Sequence, residues 1–252
     1  MPLVTIHFHT KEGERINLGK DSKQLARDFE KSKVDYLILT DKVRAGETPD
    51  APIKTFEKIK SYLRTKGEGL LFGLEFLTYD NSHLLGLCLD QEKWKNKRAP
   101  KKLEEICTAI EKTNGIIAVP HQFGPCGLKE RVSVIEKMYE SGEIGHRPLI
   151  EISYYLETLS FLDRRLSKIN QKSLNYARKN NYPIFSGLDS RFRDFTQAYN
   201  FCDVEPEIAL KKASQSGFKN NCLIPYISLS RVPMVRETLY LVRDWCVDFL
   251  RK

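Results

Sequence analysis

Short runs of apolar, often β-branched residues alternate along this chain with longer segments of helical period. The candidate strands are Val4–His9, Tyr36–Thr40, Leu70–Glu75, His83–Leu89, Gly115–Pro120, Leu149–Ser153 and Pro183–Gly187. The candidate helices are Asp21–Lys33, Ala51–Lys66, Lys101–Thr113, Leu128–Glu140 and Lys168–Asn180. Strands this apolar are typically buried on both faces, so the alternation predicts a parallel sheet covered by helices.

The number of strand–helix units favours a closed α/β barrel over an open sheet. Because the sequence has no internal repeat and no Gly/Ser-rich linker, we expect one domain over residues 1–252. A final amphipathic segment, Val232–Leu250, is expected to form a helix that packs on the barrel or makes a dimer contact. The sequence leaves the oligomeric state open.

Composition narrows the class of protein. A hydrophobic content of 41% with 29% charged residues excludes wholesale disorder. The net charge of +8 favours anionic partners, although solvated surface lysines explain it equally well. The six cysteines contain no CxxC pair, and no apolar run reaches about eighteen residues. Met1-Pro2-Leu3 opens into a strand-like pattern, so no secretory signal is expected. We therefore expect a reduced cytoplasmic protein with no membrane segment.

Histidines and carboxylates gather at the ends of the candidate strands. His7 and His9 lie at positions i and i+2, so both imidazoles point to one face of their strand. The other polar residues at strand ends are Asp41, Glu75, His83, His121 and Asp189. In a barrel the carboxyl ends of the strands meet at one mouth, where such side chains surround a small volume. Imidazole and carboxylate together suit Zn, Mn or Fe.

The order of these motifs resembles the PHP (polymerase and histidinol phosphatase) superfamily of metal-dependent phosphoesterases. Ile6-His7-Phe8-His9-Thr10 is similar to its opening HxH motif, and Leu39-Thr40-Asp41-Lys42 to a second motif that normally ends Thr-Asp-His. The later motifs are matched by Gly73-Leu74-Glu75 with Ser82-His83, by Val119-Pro120-His121, by the less specific Ile150-Glu151-Ile152 and by Gly187-Leu188-Asp189-Ser190-Arg191. The resemblance covers residues 3 to about 216.

The resemblance implies a distorted (β/α)7 TIM-like barrel and a hydrolase with two divalent metal ions. One ion would be held by His7, His9, Glu75 and Asp189, and the other by a bridging Glu75 with His83 and His121. Asp41 would orient a metal ligand. Lys42 and Arg191 stand where the family has histidines for a third ion, so that ion is expected to be absent.

These two cations have two interpretations. Either they replace the charge of the third ion and clamp a substrate phosphate, or they mark a decayed site in which Lys42 or Arg191 pairs with Asp41 or Asp189. Because the ligands of the other two sites are all present, the active interpretation is favoured.

The resemblance implies that the substrate is a phosphorylated small molecule, a nucleotide or a nucleic-acid end. Six cations surround Trp94 between residues 92 and 102, which fits either a nucleic-acid contact or, as the favoured interpretation, a solvated loop. Tyr79, Tyr154 and Tyr155 follow strands and either stack on a base or pack in the protein. The alternative function is a catalytically inactive PHP barrel that binds RNA or a protein partner.

Overall fold

The polypeptide folds into an α/β structure around one large sheet. A computed structural model of the chain describes residues 1–13, 20–124, 126–154, 156, 164–190, 197–219 and 222–227. The strands are β1 Leu3–Phe8, β2 Tyr36–Leu39, β3 Lys42–Arg44, β4 Leu70–Phe72, β5 Leu74–Leu77, β6 His83–Leu87, β7 Ile116–Val119, β8 Leu149–Ser153, β9 Ile184–Ser190, β10 Ala198–Cys202 and β11 Leu223–Ile227.

Helices follow most of the strands, as the alternation predicts. They are α1 Ser22–Lys31, α2 Asp50–Tyr62, α3 Gln91–Trp94, α4 Leu103–Lys112, α5 Val132–Glu140, α6 Arg164–Lys179 and α7 Pro206–Ser216. Helix α1 shows how the sequence specifies them: the Asp21 carboxylate accepts the Gln24 N–H at 2.8 Å, and Leu25, Ala26 and Phe29 form a buried stripe.

The sheet is mixed rather than wholly parallel. Parallel pairs join β1 to β2 and β9, β2 to β4, β3 to β5, and β8 to β7 and β9. Strand β6 is antiparallel to both β5 and β7, as expected of a return strand that begins at His83. Strands β10 and β11 extend the sheet antiparallel to β1. The strand–helix alternation predicted the parallel part and missed β10 and β11.

Two predicted elements differ from the structure. The strand expected over Leu70–Glu75 is interrupted at Gly73, where a Cβ atom would lie 2.8 Å from the Gly86 carbonyl oxygen and 2.9 Å from that of Leu39. The helix expected over Leu128–Glu140 begins as a 3₁₀ turn at Lys129–Arg131. The segment Val232–Leu250 lies outside the described residues, and the closed barrel stays a prediction.

The core lies between the sheet and the helices. Its largest fully buried side chains include Trp94, Phe8, Phe29, Phe76 and Phe185. Among the described residues, no helix combines the length and the apolar character needed to cross a membrane. The cytoplasmic location stays a prediction.

Candidate metal centre

The strands bring the six predicted metal ligands to one edge of the sheet. His7 lies in β1, Glu75 in β5 and Asp189 in β9, while His9 and His121 follow β1 and β7 directly or by two residues. His83 starts β6, which runs antiparallel to β5 and β7. It therefore lies at the same edge of the sheet as the carboxyl ends of those two strands. All are buried except Asp189, whose side chain is 19% exposed.

The six side chains form two groups of three. In the first group, the Asp189 Oδ1 atom lies 3.2 Å from His9 Nε2 and 3.6 Å from His7 Nε2. In the second group, Glu75 Oε1 lies 2.7 Å from His83 Nδ1 and 3.9 Å from His121 Nε2. The ligand atoms within each group all lie within 4.8 Å of one another.

Glu75 stands between the two groups. Its Oε1 atom is 3.7 Å from His7 Nε2, and its Oε2 atom is 3.5 Å from His9 Nε2. One carboxylate therefore faces four histidines, which is the position expected of a residue shared by two ions.

Neighbouring charges and burial shift the pKa values of the residues in the cluster. Burial opposes a charge on His7, but Glu151 and Asp189 outweigh it and raise the pKa of His7 well above 6.5. Burial likewise works against ionised Glu75, yet His83 and Lys42 hold the pKa of Glu75 well below its usual range. For Asp189, His7 and His9 outweigh burial and lower the pKa. Burial lowers the pKa of His83.

Several polar atoms of the cluster are buried without a hydrogen bond. Within the described part of the chain, His7 Nε2, Glu75 Oε2 and His121 Nδ1 have no hydrogen-bond partner. Buried polar atoms are ordinarily satisfied, and a bound cation would satisfy nitrogen and oxygen atoms of this cluster. Imidazole nitrogens and carboxylate oxygens are the donor set of Zn, Mn and Fe sites, so these residues fit divalent metal.

Glu151 lies in the less specific motif Ile150-Glu151-Ile152, and the sequence analysis gave it no role in the site. It is fully buried in β8, where its Oε1 atom lies 2.6 Å from the ring nitrogen Nδ1 of His7. Its Oε2 atom accepts a hydrogen bond from the backbone N–H of His121 at 2.8 Å. Because a carboxylate only accepts, His7 donates Nδ1–H and turns Nε2 toward the cluster. Gly187 leaves space for this carboxylate, since a Cβ atom at that position would overlap Glu151 Oε1. A lone glutamate inside an apolar strand was the available signal.

The three predicted catalytic residues differ in what the structure shows. Asp41 is buried and accepts hydrogen bonds from the Thr10 N–H at 2.5 Å and the Thr10 hydroxyl at 2.6 Å, which fixes the turn after His9. The Lys42 Nζ atom lies 3.7 Å from Glu75 Oε2, so a cation stands beside the cluster. Arg191 lies outside the described residues.

Three of the ligand residues have left-handed backbone conformations. The φ angles are 65° at His7, 31° at His121 and 42° at Asp189. Residues other than glycine rarely adopt positive φ, and such residues concentrate at functional sites.

Comparison with known proteins places this arrangement in a known fold. No family model and no curated protein matches the sequence. Solved structures do match, beginning with a two-domain protein of Bacteroides vulgatus that contains a predicted PHP-like metal-dependent phosphoesterase. That structure has a TM-score of 0.56 at 12% identity over 90% of this chain. The chain has the PHP fold.

Two further solved structures are similar to a comparable degree. PsfC of Pseudomonas syringae has a TM-score of 0.55 at 12% identity, and the match covers 97% of this chain and 98% of PsfC. The lesion-specific endonuclease Q of Pyrococcus furiosus has a TM-score of 0.53 at 11% identity over 86% of this chain. The chain spans 64% of the length of the Bacteroides protein and 56% of endonuclease Q.

Proposed function

We propose that the protein is a metal-dependent phosphoesterase, a hydrolase acting on a phosphomonoester or on a nucleotide or nucleic-acid phosphate. The observation that carries this proposal is the pair of buried three-residue groups at one sheet edge, with ligand atoms left unsatisfied. The PHP fold of metal-dependent phosphoesterases and of an endonuclease supports the same class of reaction.

Two divalent ions, Zn, Mn or Fe, would occupy the centre. His7, His9 and Asp189 would hold one ion, His83 and His121 the other, and Glu75 would bridge them. Such ions lower the pKa of water and offset the charge that develops on phosphorus-bound oxygens. The third ion of the family pattern is expected to be absent, because Lys42 holds a positive charge 3.7 Å from Glu75.

The chain's own residues position the substrate. Lys42, whose side chain is 28% exposed, would donate a charge-assisted hydrogen bond to a phosphate oxygen beside Glu75, and Arg191 would supply a second cation. Asp41 would hold the turn at Thr10 and, through it, the orientation of His9. Glu151 would fix the ring of His7 and the backbone of His121 together.

We also propose that the sheet closes as the distorted (β/α)7 barrel. Strands β2 and β3 are separated only by Thr40 and Asp41, and β4 and β5 only by Gly73. If each pair counts as one bent strand, the pairings run from β1 through β2–β3, β4–β5, β6, β7 and β8 to β9, which pairs with β1 again. This continuity supports closure.

The alternative function is a barrel that binds RNA or protein without catalysis. Such a module has no need of buried imidazoles and carboxylates that lack hydrogen bonds, since each unsatisfied buried group is destabilising by about 1–3 kcal/mol. The unsatisfied atoms of His7, Glu75 and His121 therefore favour the enzyme.

The test combines metal analysis with turnover. Protein purified without chelators is expected to contain about two ions per chain and to hydrolyse an aryl phosphate when Mn²⁺ is added. His9→Ala should lose metal and turnover. His146→Ala is the matched control, because His146 lies outside the cluster, 3.6 Å from Glu111. Metal-free protein with no turnover of any phosphoester would overturn the proposal.

A further inference from the structure

The turn between β5 and β6, the strands that carry Glu75 and His83, presents an exposed aromatic ring. Tyr79 is 84% exposed. The Thr78 N–H donates to the Ser82 carbonyl oxygen at 2.9 Å and closes the turn, and His83 pairs with Leu77 directly beneath it. An exposed ring thus stands four residues from a metal-ligand candidate.

A basic segment is fixed against this turn and against the end of β3. The Tyr79 N–H donates to the Lys101 carbonyl oxygen at 3.2 Å. The Gly46 N–H donates to the Ala99 carbonyl oxygen, and the Ala99 N–H to that of Glu47, each at 2.8 Å. Residues 98–102 are therefore held in a defined place between two strands of the site. Arg98, the first residue of this segment, lines a cleft of about 300 Å³ together with Gly46, Glu47 and Thr48.

The cations of the segment divide into two sets. The first set is engaged locally: Lys93 pairs with Asp90, Lys95 with Glu92 and Glu57, and Lys97 lies 4.9 Å from the centre of the Trp94 ring. These three side chains support the fold of their own loop.

The second set is exposed. Arg98, Lys101 and Lys102 form no ion pair with any residue that the structure describes, and the same holds for Arg44 on β3. The acid nearest to Tyr79 does not neutralise them, because Asp80 is bound by Arg131 and by the Thr78 hydroxyl.

We propose that Tyr79, Arg98, Lys101 and Lys102, named here the Tyr79 face, bind a nucleic-acid strand and lead it to the metal centre. The cations would contact successive phosphates, and an unpaired base would stack on the ring of Tyr79. Arg44 and Lys42 alternate around Val43 on β3 and would continue the line of positive charge toward Glu75. Delivery to the centre rests on the proposed function, whereas binding does not.

The combination of ring and cations selects this ligand over an acidic peptide. A peptide carboxylate needs only the charges, whereas a base also gains from a flat, solvent-exposed ring. The effect of Tyr79 on affinity therefore separates the two.

The test is binding by EDTA-treated protein to a short fluorescein-labelled single strand, of DNA and of RNA, measured by anisotropy across a salt series. The triple variant Arg98→Ala, Lys101→Ala, Lys102→Ala should bind weakly, and its slope of log K against log salt should be shallower by about 2. Tyr79→Ala should weaken binding roughly tenfold, and Tyr79→Phe, which keeps the ring, should bind like the wild type.

Matched variants control for charge and for an exposed aromatic residue. Lys23→Ala, Lys54→Ala, Lys60→Ala removes the same charge from exposed positions of α1 and α2, and Tyr62→Ala removes an aromatic residue that is 42% exposed. Neither should change the affinity. Equal losses in both triple variants, or full competition by poly-glutamate with no effect of Tyr79→Ala, would overturn the inference. Aryl phosphate turnover by the wild type tests the proposed function separately.

Discussion

Two glutamates at opposite ends of the parallel strands differ in how completely their carboxylates are hydrogen-bonded. Glu30 lies at the end where the polypeptide enters β2 and β4. It accepts hydrogen bonds from the backbone N–H groups of Arg64, Thr65 and Lys66 at 2.7, 2.8 and 3.2 Å. The Thr65 hydroxyl adds a fourth bond at 2.6 Å. This carboxylate ties α1 to the loop after α2, and its hydrogen bonding is complete.

At the other end, Glu75 is almost fully buried and its hydrogen bonding is incomplete. Four imidazoles surround it at 2.7 to 3.9 Å, and among the described residues its Oε2 atom has no hydrogen-bond partner. A carboxylate with complete hydrogen bonding stabilises the fold, whereas the unsatisfied Glu75 is available to hold the metal ions proposed above. Substitutions at the two ends should therefore separate stability from activity.

The largest effect is expected from Glu75→Gln. A neutral amide cannot bridge two ions, so we expect the metal content to fall and turnover to drop about a thousandfold or more. Metal analysis and aryl phosphate hydrolysis measure the two effects. Glu111→Gln, on α4, is the control and should keep both. A Glu75→Gln variant with full metal content would remove the bridging role.

Glu151→Gln should lower metal affinity about 10- to 100-fold. The side-chain amide nitrogen of the glutamine must face either the Nδ1 atom of His7 or the backbone N–H of His121. In the first case the His7 proton moves to Nε2 and blocks the ligand atom, and in the second case two donors meet. Competition with a fluorescent chelator measures the affinity, and NMR of the imidazole nitrogens reports the His7 tautomer.

Gly187→Ala provides an independent check on Glu151. The added methyl group would overlap Glu151 Oε1, so this variant should weaken metal binding without removing any ligand. Unchanged affinity in both variants would show that Glu151 does not position the ligands.

Lys42→Met should lower kcat/KM about tenfold while leaving the metal content unchanged. The loss corresponds to one charge-assisted hydrogen bond to phosphate. Lys42→Arg retains the cation and should recover most of the activity. If Lys42→Met instead binds a further ion, or keeps its KM, the lysine replaces a metal charge without touching substrate.

The smallest effect is expected at the opposite end of the strands. The Thr65 hydroxyl and the N–H groups around it lower the pKa of Glu30 from 4.5 to about 2. The carboxylate therefore stabilises the folded state above about pH 4.5, and this contribution is lost as the pH falls toward 2. Glu30→Gln should lower the urea midpoint at pH 7 with normal metal content and turnover. The difference from wild type should shrink in acid, and a constant difference would contradict this origin.

Sequence periodicity predicts the central strands well, and for physical reasons. Strand β8 is confirmed to the residue, because burial on both faces keeps most of its residues apolar. Strand β3 is missed because its three residues, Lys42–Arg44, are too few to show a period. Strands β10 and β11 extend the sheet beyond β1, and there alternate residues are partly exposed, which dilutes the apolar pattern.

The candidate site is predicted in part by the same logic. Residues at strand ends are visible because a polar side chain breaks an apolar run, as His9, His121 and Asp189 do. Glu151 escapes this reasoning because it lies within a strand, and its value depends on two partners about 30 and 144 positions away. Only the packed sheet brings those partners to one carboxylate.

The left-handed backbone at His7, His121 and Asp189 sets a limit on how stable this protein can become. Each such residue is destabilising by about 1–3 kcal/mol relative to an unstrained conformation. Glycine would relieve the strain at each position but would remove a ligand. If these residues bind metal as proposed, selection for the centre would keep the chain below the stability that its fold allows. A search for stabilising substitutions in the metal-free protein should then find these three positions, together with other described residues of positive φ such as Cys88 and Lys129.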